Sequence, residues 1–205
     1  MSFRYVIGVD PGLNGAVSIV DTITGDVESF DIPVHTEKKV TSKRKETLIG
    51  KYKNGNPKYK VTPEKATIKK TLNFGGLYTL LRDIVGNKNI VAVVEHQQTR
   101  PTNGPKQNFT IGLVYGSILT SIEVLRIPMT IVTPQIWKKS LGLSPKMIDN
   151  GEGKMVKEPP YTDKEKKEKS IALCKVEFSN YTPKRHDHAE ATLIAHWFIK
   201  QQKES

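Results

Sequence analysis

The run Ile90-Val-Ala-Val-Val94, closed by Glu95, restricts the fold more than any other stretch of this chain. Five consecutive apolar residues, four of them β-branched, fall far short of the roughly 20 needed for a membrane span. They read as a strand covered on both faces. Such a strand needs a layer above it and a layer below. Within 205 residues that means an α/β fold with helices on both faces of a sheet. The run also ends on a carboxylate, where the next core residue would be.

The rest of the chain supplies the layers. Tyr5 to Val9 is a short apolar strand that ends in Asp10 and is broken by Pro11-Gly12. Ala16 to Val20 and Val27 to Ile32 follow after short turns, so the first three strands form an antiparallel meander. A helix is predicted from Pro63 to Ile84, capped by Thr62 and interrupted at Gly75-Gly76. After the Ile90 strand come a helix over 108–125, a strand over 129–132 and a short helix over 135–141. Two further helices are predicted over 162–176 and 186–202. The expected architecture is a mixed five-stranded sheet in one domain spanning 1–205, with a basic hairpin-like insertion at about 36–62 and a polar loop insertion at about 145–162.

Charge narrows the partner. The chain carries +11, and twelve of its basic residues stand between Glu37 and Lys70 against three acids, so this segment holds +9. Asn54-Gly55, with Tyr52, Tyr59 and Val61 at strand-like spacing, gives the segment a hairpin grammar. A solvated surface excursion and a phosphate-tracking arm both fit it; nucleic acid is the leading polyanionic partner. One cysteine, Cys174, excludes an internal disulfide and a Cys-pair zinc site. With no secretory leader in view, a reducing cytoplasm is expected.

Three places put acid where core is expected. Asp10 and Glu95 each end a buried strand. Asp187 and Glu190 stand three apart on the last helix, on a face continued by Ala191, Ile194 and Phe198. Carboxylates on the core side of an element are costly unless paired, protonated or metal-bound. Acids from distant segments cannot neutralise one another. An oxygen-rich set suits Mg²⁺ or Mn²⁺, and two such ions activate water in phosphodiester cleavage. Singly, Asp10 is also a plausible turn residue and Glu190 a plausible solvated one.

Three motifs in order carry a resemblance. Val6-Ile-Gly-Val-Asp10-Pro-Gly12-Leu-Asn-Gly15, Val93-Val-Glu95-His-Gln97 and His186-Asp187-His-Ala-Glu190-Ala191 resemble the acidic motifs of the RuvC-type Holliday-junction resolvases. The stretches Ile111-Gly-Leu-Val-Tyr-Gly116 and Ile131-Val-Thr-Pro134-Gln-Ile-Trp137-Lys138-Lys139 are similar too, most of all to phage members. The resemblance implies an RNase H-like fold, a homodimer, and paired nicks across a four-way junction in DNA recombination and repair. It implies Asp10, Glu95, Asp187 and Glu190 as catalytic ligands of two Mg²⁺ ions, with Mn²⁺ as substitute. Lys138 is implied to support phosphate binding or catalysis, and one of Lys164, Lys166 and Lys167 to contact DNA. The expected DNA contacts are Lys38, Lys39, Lys43, Arg44, Lys45, Lys51, Lys53, Arg100, Lys106, Lys138 and Lys139.

The chain departs from the family in two places. Glu190 stands where an Asp is usual. Gln98 stands where bacterial members carry an aromatic wedge, with Arg100 as a substitute, which implies weaker sequence preference. His186 and His188 flank Asp187 as proton-transfer groups or as hydrogen-bonding supports. Three other readings compete. One is a broader flap or fork nuclease of the same fold. A second is a sugar-kinase or actin-like ATPase, which needs duplicated domains and a second Gly-rich loop. The third is a non-catalytic DNA-binding module, against which four intact carboxylates argue.

Overall fold

The computed structural model describes residues 3–42, 45–62, 65–99, 101–145, 147–149, 151, 154–157 and 162–204. In chain order the elements are β1 (Tyr5–Asp10), β2 (Ala16–Asp21), β3 (Val27–Asp31), β4 (Val34–Ser42), β5 (Lys45–Lys51), β6 (Pro57–Thr62), β7 (Lys65–Leu72) and α1 (Phe74–Val85). There follow β8 (Ile90–Glu95), α2 (Pro105–Val124), β9 (Met129–Val132), α3 (Pro134–Ser140), β10 (Met147–Asp149), β11 (Met155–Lys157), α4 (Asp163–Glu177) and α5 (His186–Glu204). They divide into two compact units: Met1–Pro33 with Phe74–Ser205, and Val34–Asn73.

The first unit is built on a five-stranded sheet in the order β3-β2-β1-β8-β9. The meander β1-β2-β3 is antiparallel, while β8 runs parallel to β1 and β9 parallel to β8. β8, apolar from Ile90 to Val94, has neighbours on both sides and six buried residues, as has β2. Val9 pairs with Val94, so Asp10 and Glu95, each the next residue, lie side by side at the same end of adjacent parallel strands. Neighbouring strands run roughly 4.8 Å apart.

Helices cover both faces. Alternation sends Val6, Gly8 and Asp10 of β1, and Val91, Val93 and Glu95 of β8, toward α5. Val6, Val91 and Val93 share a core there with Ala189, Leu193, Ile194, Ala195 and Phe198 of α5, with Trp137 of α3 and with Cys174 of α4. Each fully buried aliphatic side chain of this kind is worth roughly 1.5–3 kcal/mol. α1 and α2 bury Leu77, Leu81 and Ile84, and Val114, Ile118 and Ile122. α4 opens on a capping box in which the Thr162 hydroxyl accepts from the Glu165 N–H and the Glu165 carboxylate accepts from the Thr162 N–H. Among the described residues no helix is long and apolar enough to cross a membrane.

The second unit corrects one sequence-based expectation. The helix expected from Pro63 begins only at Phe74; Lys65–Leu72 is a strand paired antiparallel with Val34–Ser42. Thr67, Ile68 and Thr71 are β-branched and find cross-strand partners, and pairing overrides the weak helical pattern. Gly75-Gly76 consequently falls in the first turn of α1, where it is no mid-helix break. β5 and β6 form a second antiparallel ladder. It closes through a turn in which the Tyr52 N–H donates to the Asn56 carbonyl and the Gly55 N–H to the Tyr52 carbonyl, with Gly55 at φ +85°. Within the polar stretch after Pro145, β10 and β11 pair as a short hairpin.

Candidate active site

Asp10 and Glu95 reach the site from β1 and β8, and Asp187 and Glu190 from the first turns of α5. Their approach depends on Gly8. A Cβ at that position would sit 1.9 Å from the Ala191 carbonyl oxygen, so only hydrogen there lets α5 lie against β1. Gly15 serves the turn after Asp10 in the same way, since a Cβ there would meet the Asp10 carbonyl oxygen at 2.1 Å.

Asp10 senses the other three acids. Burial, followed by the Glu95, Glu190 and Asp187 carboxylates, pushes the Asp10 carboxyl well above the usual carboxylate range; Lys138 opposes them. Burial also raises Glu95, against Lys138 and a hydrogen bond from Trp137. Lys138 Nζ lies 3.0 Å from Glu190 Oε2 and 3.1 Å from Oε1. The structure therefore brings five of the sequence-predicted residues, Asp10, Glu95, Asp187, Glu190 and Lys138, into one cluster.

Several supporting residues were not foreseen. The buried Trp137 donates its indole N–H to Glu95 Oε2 at 2.8 Å, and Gln97 donates to Oε1 at 3.3 Å. Ser170 of α4 donates to Glu190 Oε1 at 3.1 Å. Arg185 ties three elements together. It donates to the Asn14 and Gly15 carbonyls at 2.8 and 3.1 Å, pairs with Asp31 at 2.6 Å and lies 3.5 Å from Asp187. A buried Trp needs a partner for its N–H, and this requirement was the one signal in the sequence that Trp137 belonged near an acid.

The two histidines separate. His186 Nε2 lies 3.1 Å from Asp187 Oδ1. His188 is 2% exposed and bonds Asp31 of β3 at 2.8 Å, which holds the Asp31 carboxyl below its usual range. It fastens α5 to the sheet.

Among the described residues no three His, Cys, Asp or Glu side chains stand close enough together to grip one ion. The reason is local: Lys138 holds Glu190, Trp137 and Gln97 hold Glu95, and Arg185 and His186 hold Asp187. The donor set itself is all hard carboxylate oxygen, with Asp10 disfavoured as an anion, and this suits a divalent cation. Beside Glu95 opens a cleft of about 310 Å³ lined by Gln97, Gln98, Asn103, Gln107 and Gln135 among others.

Of the expected DNA contacts, Lys38, Lys39, Lys45, Lys51 and Lys53 are exposed on the second unit. Lys106 is exposed in the first turn of α2, and Lys139 beside Lys138. Lys43, Arg44 and Arg100 lie outside the described residues. Lys164 and Lys166 pair with Glu168 and Asp163 on α4. Lys166 and Lys167 stand one turn before Ser170, the residue that touches Glu190.

No protein-family model matches this chain, and no curated protein matches it. Solved structures do. The chain is similar over 97% of its length, and 96% of the other's, to Thermus thermophilus RuvC in complex with Holliday junction substrate, at 12% identity and a TM-score of 0.50. A second Thermus thermophilus RuvC structure covers the same shares at 14% identity and a TM-score of 0.47. With the strand order β3-β2-β1-β8-β9 and helices on both faces, the chain has a RuvC-like, RNase H-like α/β fold.

Proposed function

We propose that this chain is a structure-selective endonuclease that resolves four-way DNA junctions by metal-dependent phosphodiester hydrolysis. One observation carries the reading: four carboxylates from segments far apart in sequence meet at one end of the sheet, with Lys138 among them. The fold is shared with a protein solved on a Holliday junction, which raises the prior without deciding the chemistry.

Asp10, Glu95, Asp187 and Glu190 would hold two Mg²⁺ ions, with Mn²⁺ as substitute. When bound, such ions lower the pKa of a water and stabilise the leaving oxygen. The chain's own residues prepare the site. Trp137 and Gln97 orient Glu95, Ser170 orients Glu190, and His186 with Arg185 orient Asp187. Lys138 balances the acids in the free protein and turns to a DNA phosphate in the complex. Lys106, Lys139 and the basic residues of the second unit contact the DNA backbone. The domain reading is one nuclease domain with a basic insertion at about 36–62 and a polar one at about 145–162.

A homodimer completes the reading. Two equivalent strands of a junction need two matching nicks, and one chain carries one set of acids. The outer face of α2 supports it. A Cβ on Gly112 or Gly116 would meet nothing within 4 Å, and these residues line a shallow depression of about 370 Å³ with Phe74, Leu113, Ser117, Thr120 and Ser121. Gln98 beside the amide-lined cleft, in place of an aromatic wedge, favours a broader branched-DNA nuclease as second reading.

The test is incubation with a synthetic four-way junction, with and without Mg²⁺, beside flap, fork and linear duplex, and with a cruciform plasmid. Paired symmetric nicks and linear plasmid are expected. Cutting of flaps and forks with only open-circle plasmid would establish the second reading. No metal-dependent cutting of any branched DNA would end both.

A further inference from the structure

We propose that the β5–β6 ribbon binds the sugar–phosphate backbone of duplex DNA through one of its two faces, the one carrying Lys45, Tyr52, Lys58 and Lys60. The proposal deepens the nuclease reading and rests on it for the substrate, a duplex arm of the branched DNA.

The register separates the faces. Lys45 pairs with Thr62, Thr47 with Lys60, and Gly50 with Lys58; Glu46 pairs with Val61, and Leu48 with Tyr59. Cross-strand partners share a side and successive residues alternate. Lys45, Thr47, Lys58 and Lys60 therefore stand together. The Lys58 ammonium lies 5.5 Å from the centre of the Tyr52 ring, which places Tyr52 at the tip of the same face. The other face carries Glu46, Leu48, Lys51, Pro57, Tyr59 and Val61, the alternation of β5 being shifted by a bulge between Leu48 and Gly50, so its one lysine is balanced by its one acid.

Three features make the lysine face a site for a polyanion. The ribbon's one acid in these strands, Glu46, is on the opposite side. Lys58 and Lys60 are two residues apart, and Lys45 is diagonal to Lys60, so each neighbouring pair of stems along the face stands roughly 7 Å apart. Like charges at this spacing weaken a ribbon by itself and are relieved by an anion that spans them. Every residue of β5, and each of Lys58, Tyr59 and Lys60, is exposed, which leaves the face open to something as broad as a duplex. A two-stranded ribbon is narrow enough to follow a groove, and Tyr52 and Thr47 add hydrogen-bonding groups that reach phosphate without selecting sequence.

The experiment uses the full chain with Asp10→Asn, and fluorescence anisotropy on a linear duplex and a four-way junction over a range of KCl. The triple change Lys45→Gln, Lys58→Gln, Lys60→Gln keeps the stems and removes the charge. At about 0.9 per phosphate, it should flatten the salt slope of log K by up to about 2.7 and weaken binding at physiological salt by about 10²-fold. Lys→Arg at the same three positions should keep the slope. Leu48→Thr, Tyr59→Thr, Val61→Thr, on the other face, should keep it too. An unchanged slope in the Gln triple, or an equal loss in the other-face triple, overturns the proposal. With Asp10 restored, the Gln triple should raise KM and leave kcat at saturating junction intact. A wild-type chain that cuts no DNA would end the nuclease reading, while the salt slopes would still decide the ribbon.

Discussion

Replacing Gly8 by alanine tests whether the acids act together because α5 lies directly on β1. The added methyl would fall 1.9 Å from the Ala191 carbonyl oxygen, 2.8 Å from the Ala195 nitrogen and 3.0 Å from the Ala191 carbonyl carbon. All three are helix backbone, so no side chain can turn aside. An ordinary contact begins near 3.4 Å, so the helix must move by about 1.5 Å along that line; overpacking of this kind typically costs about 1–3 kcal/mol. At roughly 2–4 °C per kcal/mol for a chain of this size, the melting temperature should fall by about 2–12 °C. The larger effect should be on rate. Asp187 and Glu190 ride on α5 within the turn that leads into the contact, while Asp10 and Glu95 stay with the sheet. A misplacement of about 1 Å at a catalytic centre can cost about 10²-fold. The assay is single-turnover junction cleavage well below the melting temperature, with circular dichroism to certify the fold. Gly12→Ala is the control, because a Cβ there meets only ordinary contacts, the nearest at 3.6 Å. A Gly8→Ala protein with wild-type melting and wild-type cleavage would refute the argument that this contact positions the acids.

Asp10→Asn should abolish cleavage while keeping junction binding or tightening it, because the amide keeps the shape and loses the charge. Native Asp10 keeps its proton to higher pH than the unfolded chain does, so metal-free stability should fall as pH rises from the usual carboxylate range through the raised value; urea midpoints in chelator should show that fall in the wild type and a shallower one in Asp10→Asn, where the raised Glu95 remains. Trp137→Phe removes the 2.8 Å bond to Glu95, a charge-assisted contact worth about 1.5–3 kcal/mol, and should lower both the melting temperature and the cleavage rate; unchanged cleavage would free Glu95 of any need for orientation. Burial pushes the Cys174 thiol up to about 12, so iodoacetamide should label the chain only as fast as it unfolds, and rapid labelling in native buffer would contradict the packing around α4. Gly116→Leu should give monomer by sedimentation, with single nicks in place of paired ones; an intact dimer would move the subunit contact off α2.

The legible parts of this fold were those in which a local rule and the global packing agree. An all-apolar run has to sit in a covered strand and short turns have to make a meander; β8 and the β1–β3 meander follow. Lys65–Leu72 was illegible for the opposite reason. Its residues are indifferent between helix and strand, and the choice is made by Val34–Ser42, some thirty residues earlier. The acids were legible as a set because each breaks an apolar pattern at a place where breaking it is costly. Their supports were not. Ser170 and Arg185 are ordinary polar residues in sequence, and only the packing of α4 and of the β1–β2 turn beside α5 gives them an acid to hold.

The distribution of charge joins the two halves of the functional reading. The second unit carries +9 of the chain's +11, so the first unit holds little net charge once its four clustered carboxylates are counted in. A phosphate drawn toward those carboxylates meets like charge, and Lys138 offsets only one of them while paired with Glu190. Two things are then required of any DNA-cutting role: cations that reverse the sign at the acids, and attraction supplied from elsewhere on the chain. The basic ribbon supplies the second without entering the chemistry. Its contribution is screened by salt over about 8 Å under physiological conditions, whereas cations held at the partly buried acids would be screened far less. Raising KCl should therefore raise KM steeply and leave kcat nearly constant, and removing the ribbon lysines should make that rise of KM with salt shallower. If kcat falls with salt as KM rises, and does so less in the chain without the ribbon lysines, the ribbon takes part in more than binding, and the separation of attraction from chemistry fails.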